Sequence, residues 1–228
     1  MAIVIIIVVF IVLIAVAPQM WVQRVIARHS EPRADFPGTG GEFARHILDE
    51  LGLHGVAVEQ TEDGDHYDPE KKIVRLTEPH YAGRSLSAVV IAAHEVGHAI
   101  QDASGYVPLK ARTQIAKNAG WLQTAATAIL LAAPLFVIIA KSPAILLVQV
   151  AAIGLIALIT VLMHAVTLPV EFDASFKRAL PILAGGRYIP DADLPAARTI
   201  LRAAALTYVA AAAMSVINIF RWLRFLRI

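Results

Sequence analysis

The chain has 228 residues, enough for one or two domains, and 57% of them are hydrophobic, against 45–50% in ordinary soluble domains. Charged residues make up 17% and the formal net charge is +2, with no basic stripe interleaved with aromatics, which excludes a nucleic-acid partner. Cysteine is absent, so disulfides, thiolate catalysis and cysteine-ligated metals are excluded as well.

Along the chain the charge is missing from four apolar runs, each near the 17–25 residues that a membrane span needs. The first, Met1 to Met20, is uncharged and precedes Trp21. It lacks the positive start of a secretory signal, so it reads as an uncleaved anchor despite the small residues Ala15 to Ala17. Residues 21–118 are of soluble character. There TGGEFARHILDELG offers Thr39 as N-cap, an apolar stripe of Phe43, Ile47, Leu48 and Leu51, and Gly52 as a stop, which predicts a short amphipathic helix. GVAVEQ and KKIVRL alternate like strands around the polar TEDGDHYDPE, which predicts a hairpin. An exposed edge at KKIVRL would suit addition of a substrate peptide. SLSAVVIAAHEVGHAIQ is proline-free and alanine-rich, predicting a helix from Ser85 to about Asp102, ended by Gly105 and Pro108.

The second and third apolar runs, about Gly120–Ala140 and Pro143–Leu168, are separated by Lys141 and Ser142 and predict a transmembrane hairpin over 119–168. Pro169 is expected to end the third, and Glu171 to open a further helix within 169–202. The fourth run, about Ala203–Phe220 within 203–228, reads as a short C-terminal membrane helix, or as a buried or tilted one. The expected fold class is therefore mainly α, a polytopic helical membrane protein of about four spans with a small α/β insertion.

The helix carrying AAHEVGHAIQ concentrates the chemistry. His94 and His98 are four residues apart and project from one helix face, where they can grip one metal ion, and Glu95 stands beside them. This H-E-x-x-H arrangement either binds zinc through the imidazoles, with the glutamate as general base toward a zinc-activated water, or is a chance pattern on an ordinary helix. The flanking small residues, and a run without acid or base between Arg84 and His94, make two histidines and a glutamate costly to bury without a metal partner. Gly97 would let another backbone or a substrate approach closely. The spacing of a third histidine found in metzincins is absent. Glu171, in TLPVEFDAS, is the best third-ligand candidate, although the residue taken alone is better explained as a helix N-terminal acid favoured by the dipole.

Asp65, His66, Tyr67 and Asp68 belong to the polar turn, where turn chemistry accounts for them. His80 and Tyr81 could donate to an oxyanion but are expected at the surface. His164 lies within the third run and is left out of the ligand set. Arg112 and Lys117 read as interfacial anchors.

HEVGHAIQ, DHYDP, TLPVEFDAS and ALTYVAAA together resemble the YugP-like family of membrane zinc metallopeptidases over nearly the whole chain. More distantly, HEVGH followed by two spans and E-x-x-A resembles the HtpX heat-shock protease and the CAAX prenyl proteases. The resemblance implies a zinc-dependent membrane endopeptidase with one catalytic zinc held by His94, His98 and Glu171, and Glu95 as the catalytic carboxylate. Ser175 stands where those distant families carry an aspartate, and Asp173 is the nearest substitute for it. The expected partners are the lipid bilayer and a protein or peptide substrate. The competing reading is a non-enzymatic membrane quality-control scaffold with a structural metal. Lysine and arginine crowd the flanks on one side, which predicts an integral protein of the plasma (inner) membrane with its active site facing the cytoplasm.

Overall fold

The computed structural model describes residues 16–140 and 143–207. Helix α1 (residues 16–28) buries Val22 and Val25. Helix α2 (Gly40–Glu50) starts where expected: the Thr39 side chain accepts from the Glu42 N–H, and the Glu42 side chain accepts from the Thr39 N–H. Its buried stripe is Ala44, Ile47 and Leu48, while Leu51 is 48% exposed beyond the last turn. Gly52, at φ +69°, takes the left-handed conformation that stops the helix.

The expected hairpin is wrong. Strands β1 (Ala57–Thr61), β2 (His66–Asp68) and β3 (Ile73–Thr77) form one sheet in the order β1-β3-β2. β1 runs parallel to β3, from Ala57 opposite Ile73 to Thr61 opposite Thr77, and β2 pairs antiparallel with β3, His66 opposite Arg75. The tight turn is the one between β2 and β3. There Asp68 accepts from the N–H groups of Glu70 and Lys71, and Arg75 reaches back to Asp68 Oδ2 at 2.8 Å. KKIVRL therefore supplies the central strand, not an edge to which a peptide could add.

After the single turn α3 (Glu78–Tyr81), helix α4 (Leu86–Ala103) runs as predicted, and the Ser85 hydroxyl caps it by accepting from the Ala88 N–H. Fifteen of its 18 residues are buried, the signature of a central helix covered on every side. The sheet, α2 and the segment after Glu171 all pack on it. Helices α5 (Val107–Ala140) and α6 (Pro143–Phe172) pack against each other. A π-helix (Asp173–Ala179), α7 (Leu180–Gly185), a 3₁₀ turn (Asp191–Asp193) and α8 (residues 194–207) complete the described chain.

The four-span layout is not supported. Among the described residues one helical run, Leu147–Gly185, is long and apolar enough to cross a membrane. Only 27% of its most apolar window is buried, whereas the core helix of a soluble protein is mostly covered. The expected first span lies largely outside the described residues, and its end at 16–20 belongs to α1. The expected second span is the later part of α5, whose start carries Lys110, Arg112 and Lys117. Of the expected fourth span, Ala203, Ala204 and Ala205 are buried in protein, and residues from 208 on lie outside the described part. Alanine-rich composition suits a helix packed against helices as well as one packed against lipid.

Candidate metal centre

His94 and His98 lie one turn apart on α4, their ring centroids 4.8 Å apart and edge to face. Both are buried, and so is Glu95 between them. Glu171 reaches them from the end of α6, its Oε2 standing 3.1 Å from His94 Nε2 and 3.3 Å from His98 Nε2. One ligand atom from each of the three lies within 4.8 Å of the other two, so the cluster could hold a metal ion. Glu95 is not part of that set.

Two local features carry Glu171 there. Pro169 does not end α6 as expected: it sits inside the helix, and the π-helix begins at Asp173, two residues past Glu171. Proline removes one helical hydrogen bond and crowds the preceding turn, and π-helical segments are frequent at functional sites. Gly97 then lets the segment close on α4, since a Cβ there would stand 2.7 Å from the Ala174 carbonyl oxygen. Gly97→Ala should therefore destabilise the fold by about 1–3 kcal/mol through overpacking, more than the roughly 0.5–1 kcal/mol gained from helix propensity. Thermal melts with and without zinc would check this. A variant at least as stable as the native chain, with unchanged zinc binding, would show that the contact yields freely.

The other ring nitrogens are held too. Gln101 Nε2 donates to the Val170 carbonyl oxygen and to Asp173 Oδ1, both at 2.9 Å. A carbonyl can only accept, so the amide orientation is determined and Gln101 Oε1 accepts from His98 Nδ1–H at 3.0 Å. Ser175 Oγ donates to the Leu201 carbonyl and accepts from His94 Nδ1–H at 3.0 Å. Each imidazole is thereby set in the tautomer that turns the Nε2 lone pair toward Glu171.

A cleft of about 740 Å³ opens onto this cluster. β2 and its flanking turns form one wall, the stretch of α5 from Leu109 to Lys117 another, and α1 and α8 contribute Ile26 and Thr207. Burial pushes the Glu95 carboxyl up to about 7, and the nearby Glu171 charge acts in the same direction. Arg112 enters from α5 and donates Nη1 to Glu171 Oε1 at 3.0 Å.

Residues 4–227 match the family model described as "Putative neutral zinc metallopeptidase". Over 226 residues the chain is 36% identical to the "Putative membrane protease YugP" of Bacillus subtilis (strain 168), with 94% of each chain covered. The chain belongs to this zinc metallopeptidase family. No solved structure matches it.

The donor set of this family member fits the metal that the family description names. With both Nδ1 atoms donating, two neutral Nε2 lone pairs and a carboxylate oxygen face one another in a buried site, an arrangement that repels unless a cation lies among them. Protonating both rings would satisfy the geometry only by placing two imidazolium charges in rings with centroids 4.8 Å apart. Two histidines and a glutamate are one of the ligand sets of catalytic zinc.

Other candidate residues fall elsewhere. His80 is buried, not at the surface, with Nδ1 2.7 Å from Asp65 Oδ2, while Asp65 Oδ1 accepts from the Thr77 N–H and hydroxyl. Asp65 thus braces the start of β2, and the Tyr67 hydroxyl ties that strand to Asp102 at 2.9 Å. His164 is partly exposed on α6 and joins neither the cluster nor the cleft wall. Lys117 pairs with Glu70 at 2.7 Å, and Arg112 pairs with Glu171, so neither acts simply as an interfacial anchor. The sequence reading missed Gln101 and the contact of Arg112 with Glu171. Gln101 had a signal, a lone amide three residues after His98 on an apolar helix. The contact of Arg112 had none, since Glu171 is 59 residues away. Ser175, read as a departure, supports His94, while Asp173 supports His98 through Gln101.

Proposed function

We propose that the protein is a zinc-dependent endopeptidase of the membrane, with His94, His98 and Glu171 holding one zinc and Glu95 acting as general base. The observation that carries this reading is the convergence of two Nε2 lone pairs and one Glu171 oxygen beside a buried carboxylate outside the ligand set. Zinc held there supplies Lewis acidity, lowering the pKa of water to about 7 and polarising a carbonyl. The chain's own groups do the rest. Ser175 and Gln101 keep the rings oriented, and the burial of Glu171 excludes competing solvent. Glu95 takes a proton from the attacking water at its carboxylate and delivers it to the departing amine nitrogen, so that hydroxide ends on the new carboxyl and the proton on the new amine. Burial raises the Glu95 carboxyl, and the charge of a bound cation acts in the opposite sense.

Membrane attachment through α6 belongs to the same proposal. Leu147, Val148, Val150, Leu158 and Leu162 are exposed along it, a lipid-facing surface by composition. Lys177, Arg178, Arg187, Arg198 and Arg202 follow α6, whereas Lys141 precedes it. That bias supports a cytoplasmic placement of the Glu171 end of the helix.

The test uses the full-length protein in detergent. It should bind about one zinc per chain and cleave an unstructured protein substrate. Chelation should abolish cleavage and zinc should restore it. A chain that keeps its zinc and its fold but cleaves nothing would favour a structural metal.

A further inference from the structure

We propose that Arg112 is a positioning residue that makes Glu171 a one-oxygen ligand. The inference rests on the zinc reading above and concerns how the third ligand is used. The two oxygens of Glu171 have different surroundings. Oε2 faces both imidazole Nε2 atoms at 3.1 and 3.3 Å, while Oε1 accepts from Arg112 Nη1 at 3.0 Å. The Glu171 side chain is 1% exposed, so neither oxygen faces bulk water. A carboxylate with both oxygens free can close on a cation with both, as carboxylates do around larger cations. In a catalytic zinc site that second oxygen would take the position needed by water or substrate.

The geometry assigns Oε1 to arginine instead. A hydrogen bond between a guanidinium and a carboxylate is of the strong, charge-assisted kind, and turning the carboxylate to offer both oxygens would break it inside a buried site. The direction of approach matters as well. Arg112 belongs to α5 and lines the cleft together with Glu95 and Glu171, so the guanidinium that holds Oε1 is itself part of the cleft wall. Arginine suits the task because its planar fork donates along set directions, which a lysine ammonium does not.

The experiment compares the native full-length chain with Arg112→Met, each loaded with zinc for metal content and with cobalt(II) for its visible spectrum. The native protein should give the intense bands of four-coordinate cobalt. Arg112→Met should retain about one metal per chain and lose band intensity as the coordination number rises. Its cleavage should fall about 10–100-fold, the usual effect of losing an outer partner of a metal ligand. An Arg112→Met spectrum identical to the native one would overturn the proposal, and so would loss of the metal from a folded variant, which is what a merely structural role would produce. Should Arg112→Met fail to fold, X-ray absorption on the native zinc protein decides the matter, because a two-oxygen carboxylate there overturns it and a one-oxygen carboxylate upholds it. A native chain that binds no zinc would instead remove the metal reading on which the proposal stands.

Discussion

Glu95→Gln is expected to lower peptide cleavage by at least the roughly 10²–10⁴-fold that general base catalysis contributes, with zinc content and fold unchanged. Glutamine has the size of glutamate but cannot accept the proton of the attacking water. Because Glu95 lies outside the three-atom cluster, the variant should hold zinc as the native chain does. It should also be no less stable, since burial disfavours the Glu95 charge in the native protein and the substitution removes that penalty. Metal analysis, thermal melting and turnover of an unstructured substrate, measured on one preparation, separate these effects. Equal turnover by native and variant chains would refute the role of Glu95. Loss of zinc together with activity would make Glu95 a ligand.

The second large effect is expected from Glu171→Gln, which keeps the volume and an acceptor for Arg112 but removes the anionic oxygen between the two imidazoles. Losing a direct ligand should weaken zinc binding by more than the 10–100-fold that loss of an outer partner costs. The thermal shift on adding zinc follows. A ligand at 100 times its dissociation constant stabilises by about 2.7 kcal/mol, so a zinc concentration that raises the native melting temperature by several degrees should barely move the variant. Native zinc affinity in a folded Glu171→Gln protein would mean that the two histidines find their third partner elsewhere.

How much of this was legible in the sequence differs from element to element. Ser85, the alanine-rich stretch behind it and the absence of proline mark α4 completely, because capping and helix propensity act within a few residues. Thr39 and Glu42 mark α2 for the same reason. Alternation in GVAVEQ and KKIVRL revealed two strands but not their relation, because period-two patterning is the same for a parallel and an antiparallel neighbour. β2 is three residues long inside a polar turn, and only its pairing with β3 makes it a strand. The count of spans failed where hydropathy could not tell lipid from protein, as at Ala203 to Ala205. Pro169 was read as a stop because its local effect is to break helices, while packing around it keeps α6 running through to Phe172.

By itself the sequence determined that His94 and His98 share one face of a helix with Glu95 beside them, since the helical repeat is rigid and every residue involved lies within five positions. Only the tertiary structure decided what meets them. Glu171 is 77 residues from His94, Ser175 is 81, and Arg112 is 59 from Glu171. Such meetings depend on how α4, α5 and α6 pack, on the close approach of Ala174 to Gly97, and on hydrogen bonds that exist only once water has been excluded. None of these leaves a periodic trace along the chain, because each is a relation between segments and not a property of either one.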